Sequence, residues 1–226
     1  MKNIIRISEV ILLIILIHSC KKEDDNVIRD VDGNIYTSVT IGNQVWMVEN
    51  QKTTKYNDGT SIPLVTVDAA WEALSTPGYC WYNNDNINKS TYGALYNWFV
   101  VDAASNGGKN VCPRGWHVPT DAEWTTLTTY LGGEDVAGGK LKETGTTHWL
   151  SPNTGATNER GFTALPSGYR YSNGAFFAIG YNGYWWSSTE YSATYVCFRG
   201  MYYYASNVYR DNFDKQYGFT VRCLRD

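Results

Sequence analysis

A cationic surplus is the first thing missing from this chain. Nineteen Lys and Arg stand against 22 Asp and Glu in 226 residues, a net charge of −3. That balance excludes the basic footprint of a nucleic-acid-binding surface, and no DNA or RNA partner is expected. Long apolar runs are missing too: Val10 to Ile17 is far short of the roughly 20 residues that a membrane-spanning helix needs. Histidine is scarce. Beyond the first twenty residues only His117 and His148 remain, neither with a second His, Cys or carboxylate at a spacing that builds a zinc site, so no metal is expected. No G-x-S-x-G, Walker A or G-x-G-x-x-G stretch occurs, and the pairs Gly107-Gly108 and Gly138-Gly139 read as turns. Glu134, Asp135, Glu143, Glu159 and Glu190 form no pattern beyond solvated loops, so no catalytic residue and no cofactor is expected. Methionine numbers only 3, against 18 Tyr, 9 Trp and 21 Gly, a bias toward loop-rich β or α+β architecture and away from a helical bundle.

Lys2 and Arg6 precede the apolar run, so residues 1–19 read as a signal peptide. Ile17-His18-Ser19-Cys20 resembles the lipobox of bacterial lipoproteins, which implies cleavage before Cys20 and lipidation of its thiol. Several acyl chains at about 0.8 kcal/mol per buried CH₂ would anchor the chain without a span. An uncleaved signal anchor or a plain secreted protein is the alternative. Residues 20–26 include Lys21-Lys22-Glu23-Asp24-Asp25, a solvated tether that also resembles the surface-export signal of Bacteroidetes lipoproteins. The expected location is the outer membrane, with the lipid on Cys20 as the link and the domain on the cell surface. Without residues 1–19 the balance is 17 basic against 21 acidic residues.

Residues 27–226 carry no Pro-rich stretch, low-complexity block or fixed-period repeat, and read as one domain. Asp32-Gly33-Asn34 is a turn, and Ile35–Ile41 with Gln44–Val48 around Gly42-Asn43 is a predicted hairpin. Ala94–Ala104 is apolar on nearly every side and predicts a buried helix. Thr120 followed by Glu123 is a capping box, and Trp124, Leu127 and Leu131 then fall on one helical face before Gly132-Gly133. After Gly161 come short aromatic runs punctuated by Gly, Asn and Ser: Phe162–Leu165, Tyr169–Tyr171, Ala175–Ile179, Tyr184–Ser187, Ala193–Arg199, Val208–Asp211 and Gly218–Cys223. Helices early and antiparallel strands late give an α+β fold, two helices on Gly- and aromatic-rich strands. Cys80, Cys112, Cys197 and Cys223 permit two disulfides in three connectivities, or reduced core thiols.

Six segments in order, Gly33–Tyr36 with Gln44–Asn50, Tyr92–Trp98, Cys112–Trp124, Gly161–Arg170, Gly183–Thr189 and Tyr217–Asp226, resemble the Fibrobacter succinogenes major paralogous domain. That family is similar to the C-type lectin fold, in the variant shared with formylglycine-generating enzymes; Gly115–Trp124 and Gly218–Arg222 carry the wider likeness. The enzymes hold copper with two cysteines five residues apart, and here Cys197 takes the first position but Tyr202 the second, so a two-thiolate site cannot form, and an oxidoreductase of that type, like a structural envelope protein, stands as an alternative to binding. The resemblance does imply a Cys112–Cys223 disulfide, joining a cysteine ahead of the central helix to one on the final strand. Cys80 and Cys197 are left to pair or stay reduced.

Tyr191 to Asp214 is dense in Tyr, Asn, Ser and Asp, the composition of a binding surface in which rigid Tyr gives area and Ser and Asn adapt their hydrogen bonds. Tyr faces also stack on sugar rings. Trp185, Trp186 and Phe198 are read as core, but Tyr202, Tyr203 and Tyr204 cannot all point inward from a strand. Candidate ligand-binding residues are therefore Tyr191, Tyr195, Tyr202, Tyr204, Asn207, Tyr209 and Asn212, and the expected partner is an extracellular glycan or protein. The stretch is similar to the variable segment of lectin-fold lipoproteins diversified by retroelements.

Overall fold

Asp30 sets the first turn by accepting from the amides of Asp32 and Asn34, with Gly33 at φ +83° where a side chain would be strained. Around it pair β1 (Ile28–Arg29) and β2 (Ile35–Tyr36). The computed structural model describes residues 27–226, so the signal segment, Cys20 and the tether lie outside the described residues. The predicted hairpin follows as β3 (Ser38–Ile41) and β4 (Gln44–Met47), with Ile41 opposite Gln44 and Trp46 buried.

Short elements come next: α1 (Asp68–Glu72), β5 (Tyr79–Cys80), α2 (Asn88–Tyr92), β6 (Leu95–Tyr96) and α3 (Ala103–Asn106). The single buried helix expected over Ala94–Ala104 is not there. Leu95 pairs with Cys80, the backbones of Tyr96 and Phe219 exchange hydrogen bonds of 2.8 and 3.0 Å, and Trp98–Val100 is a 3₁₀ turn. Asp102 then caps α3 by accepting from the amides of Ala104 and Ser105. Partners distant in sequence have claimed the backbone groups that a helix would have used internally.

β7 (Trp116–His117) leads into α4 (Asp121–Tyr130), whose capping box forms as read, and Trp124, Leu127 and Leu131 are buried. Gly132 and Gly133 end it, both at positive φ. α5 (Glu134–Leu141) corrects two expectations at once. Glu134 and Asp135 open a helix and do not sit in a loop, and Gly138-Gly139 lie inside it and do not form a turn. Their lack of side chains serves packing: a Cβ on Gly138 would run into the Asn207 carbonyl, and one on Gly139 into the Gly155 carbonyl. Gly138→Ala should therefore destabilise the fold by about 1–3 kcal/mol despite alanine's better helix propensity. A urea titration reads this directly, and a stabilised variant would contradict the packing.

The remaining strands are β8 (Ser167–Arg170), β9 (Phe176–Ile179), β10 (Asn182–Glu190), β11 (Tyr195–Tyr202), β12 (Tyr209–Asp214) and β13 (Leu224–Arg225). Phe162–Leu165 and Gly218–Cys223 are not strands. Ala164 makes one bridge to Lys142, while Gly218, Phe219 and Thr220 bridge to three different partners, Arg170, Tyr96 and Trp185. Hydrophobic alternation there reflects burial between layers, not a ladder.

Five strands form one sheet in the order β12-β11-β10-β8-β9, antiparallel except where β8 meets β10, and four form another in the order β3-β4-β13-β7. Under one face of the larger sheet Trp185 and Met201 pack with Trp124, Leu127 and Leu141 of the two longer helices. On the other face Trp186 and Phe198 pack with Phe219 and Tyr184. The fold is mixed α+β. Cys112 and Cys223 are joined, closing a sequence separation of 111, and Cys80 and Cys197 are buried free thiols. Burial pushes the Cys80 thiol up to about 12, so it stays protonated and inert.

Candidate ligand-binding surface

Tyr184, Gly200 and Tyr209 lie in one row across β10, β11 and β12, and Trp186, Phe198 and Asp211 in the next. Directly opposed residues share a face, so Tyr184, Phe198, Tyr202, Tyr209 and Phe213 all project to the same side. Across the sheet Tyr169 pairs with Phe177. Ring contacts link these side chains into a continuous tract: Phe177 to Tyr169 at 5.7 Å, Tyr169 to Tyr184 at 5.2 Å, Tyr184 to Tyr202 at 5.9 Å and Tyr202 to Tyr209 at 4.2 Å. Tyr204 stacks on Tyr202 at 5.7 Å. A branch runs through Tyr217, which stacks on Phe213 at 4.6 Å and meets Tyr171 at 4.8 Å. Tyr204, Phe177 and Tyr171 are 54%, 46% and 39% exposed, while Tyr169, Tyr202, Tyr209 and Phe213 are half-buried.

The seven candidate residues divide. Tyr202, Tyr204 and Tyr209 share this face. Tyr195 and Asn212 take the alternate positions, with Asn212 opposite Cys197, and so belong to the reverse face. Tyr191 is 67% exposed in the turn between β10 and β11, and Asn207 packs its carbonyl against Gly138. Tyr203 and Tyr204 lie past the end of β11, in a turn that lets neighbouring tyrosines point apart. Sequence reading did not single out Tyr169, Tyr171 and Phe177 as surface candidates. They join the face because β8 pairs with β9 and lies beside β10 through a parallel contact, a placement that composition does not encode.

That Tyr turn is held from beneath. Lys142 is fully buried, and its Nζ donates to the carbonyls of Tyr202, Ala205 and Thr154 at 3.0, 2.8 and 2.9 Å, 5.3 Å from the centre of the Trp149 ring. Among the described residues it has no carboxylate partner, and burial pushes its ammonium down to about 8. On the reverse face Asp121 accepts from Arg199 at 2.6 Å and from Arg210 at 2.6 Å, tying the start of α4 to β11 and β12. Burial works against its charge, yet those two guanidiniums hold the Asp121 carboxyl below the ordinary carboxylate range.

Burial raises the phenols of Tyr184 and Tyr202, and Tyr204 is raised chiefly by its hydrogen bond with Tyr209. Tyr36, Tyr56, Tyr96 and Tyr217 are likewise raised, first by burial. At neutral pH these phenols are therefore uncharged, and Asp211 is the acidic side chain that shares their face. Above about pH 10 the unfolded chain loses phenolic protons that the folded chain keeps, so stability falls with pH at 1.36 kcal/mol per unit for each such group. Alkaline titration should show part of the phenolate absorbance rising only together with loss of tertiary signal, and ionisation of the full set of tyrosines in a still-folded chain would contradict the burial.

Among the described residues no three His, Cys, Asp or Glu side chains come together to hold a metal. Cys197 and Tyr202, five apart on β11, fall on opposite faces, so no two-ligand site forms between them.

The family model for the Fibrobacter succinogenes major domain matches residues 39–225. The chain belongs to this family. No curated protein and no solved structure matches it. In this Fibrobacter succinogenes major domain the match opens within β3, closes in β13 and contains the whole aromatic face together with both linked cysteines.

Proposed function

We propose that this chain is an exported, lipid-anchored cell-envelope protein, surface-exposed on the outer membrane, whose non-catalytic, C-type-lectin-like domain binds an extracellular glycan or protein. The observation that carries the reading is the tract from Phe177 through Tyr169 and Tyr202 to Tyr204. Its rim is exposed although a monomer that buried all its aromatics would be more stable, and flat rings with polar tips suit sugar faces and protein surfaces alike. Lys142 fixes the turn in advance, which lowers the ordering cost of binding.

Glycan-array and envelope pull-down binding by the wild type should fall at least tenfold in Tyr202→Ala with Tyr204→Ala. Tyr204→Ala alone removes a ring that is more than half exposed, and should weaken binding without lowering stability. Silence of the wild type across both panels would favour a structural envelope role, and unchanged binding in the variants would move the ligand to another face.

A further inference from the structure

We propose that a cleft beside β1 is a phosphate site that seats the headgroup of an anionic membrane lipid. The cleft holds about 580 Å³ and is lined by Arg29, Arg114 and Arg225 together with Val27, Val31 and Trp116. Three exposed arginines thus border one cleft in a chain whose net charge is negative.

Their lack of acidic partners is shared with Arg160, which instead lies over the Tyr130 ring, 5.9 Å from its centre, and does not line the cleft. Arg170, Arg199, Arg210 and Arg222 are each bonded to carboxylates or buried carbonyls. Among the described residues no carboxylate lies within ion-pair distance of Arg29, Arg114 or Arg225, and the one bond recorded for the three is Arg29 to the Gly33 carbonyl in its own turn. The acid on the cleft wall, Asp30, is already engaged by the Tyr36 hydroxyl at 2.6 Å and the Asn34 amide at 2.7 Å. Backbone placement is fixed: Arg225 lies opposite Trp116 across β13 and β7, and the Cys112–Cys223 link sits two residues before both Arg114 and Arg225. Guanidinium forks in such a cluster match the oxygens of a phosphate.

A lipid is favoured over free phosphate by what adjoins the arginines. Val27 and Val31, 45% and 44% exposed, give the cleft an apolar lip. Val27 also stands seven residues from Cys20, a reach of at most about 25 Å. The proposal rests on the anchoring reading, since an acyl chain on Cys20 would deliver the cleft to the headgroup layer, and a lipid plus a basic patch is the pairing that makes anchoring stable.

The chain from residue 20 onward carrying Cys20→Ser has neither the apolar signal run nor an acyl chain, so its vesicle binding reports the cleft. It should co-sediment with vesicles of phosphatidylglycerol in phosphatidylcholine and not with phosphatidylcholine alone. Arg114→Gln with Arg225→Gln should lower that partition about 25-fold, roughly fivefold per arginine, while Lys140→Gln leaves it unchanged. Should the double variant lose its circular dichroism spectrum, Arg29→Gln is the second arm, with about a fivefold loss expected. Equal partition onto both vesicles, or full retention in the arginine variants, overturns the proposal. Calorimetric binding of inorganic phosphate without vesicle partition overturns the lipid as its source. Fatty-acid labelling of the wild type tests the anchor separately, because the vesicle assay uses a chain without one.

Discussion

Replacing Cys112 and Cys223 together with Ala should lower the thermal unfolding midpoint by about 8–15 °C. The cross-link closes a separation of 111 residues, for which the chain-entropy account gives about 4.7 kcal/mol, and native disulfides contribute about 2–5 kcal/mol. At roughly 2–4 °C per kcal/mol for a domain of this size, the shift is large enough for any scanning method. Both sulfurs are buried, and the Gln51 amide points at Cys223 Sγ from 3.0 Å. Reductant added to the folded protein should therefore act slowly, and the double variant is the cleaner comparison. Cys80→Ala is the control, being a free thiol whose loss removes no cross-link. A midpoint within 2 °C of wild type for the double variant would show that the link adds nothing the sheet does not already supply.

Lys142→Met should cost about 3 kcal/mol, visible as a lower urea midpoint with an unchanged slope. Three charge-assisted hydrogen bonds disappear at about 1.5 kcal/mol or more each, offset in part because the thioether carries no charge to desolvate. Methionine keeps most of the volume, so the loss reports the polar contacts and not a cavity. Lys142→Arg should not rescue: a planar guanidinium cannot aim three N–H bonds from one atom at the carbonyls of Thr154, Tyr202 and Ala205. The same variant should weaken any ligand held by Tyr204, because the turn would need ordering at each encounter.

Local signals survived into the structure where local chemistry decides the outcome. Thr120 and Glu123 satisfy each other's amides, and Gly42-Asn43 turns β3 onto β4, whatever the rest of the chain does. Trp185, Trp186 and Phe198 were legible as core because burial follows composition. Non-local partners decided the failures. Ala94–Ala104 has a helical composition, but Phe219, more than a hundred residues on, takes the Tyr96 backbone. Gly138 and Gly139 looked like breakers because the carbonyls of Asn207 and Gly155 that exclude a side chain there are invisible in one dimension. The disulfide was legible only through family resemblance, since four cysteines alone leave three pairings open. In the candidate surface, composition located Tyr202, Tyr204 and Tyr209, and strand parity removed Tyr195 and Asn212 from their company.

β13 lies inside its sheet, between β4 and β7, and the stretch leading into it threads the core through Phe219, Val221 and the buried Arg222. A chain emerging from N- to C-terminus thus has its first hairpin early but no neighbour for the inner edge of β4 until Leu224 arrives. Until that moment β4 and β7 both present open edges, and the cysteine partner of Cys112 does not yet exist. Closure of the smaller sheet and of the cross-link therefore both wait on the same short C-terminal stretch. A chain cut at residue 216 keeps every strand of the larger sheet but lacks β13, so β4 and β7 would stay unjoined, Cys112 would have no partner, and protease cuts should concentrate in the smaller sheet.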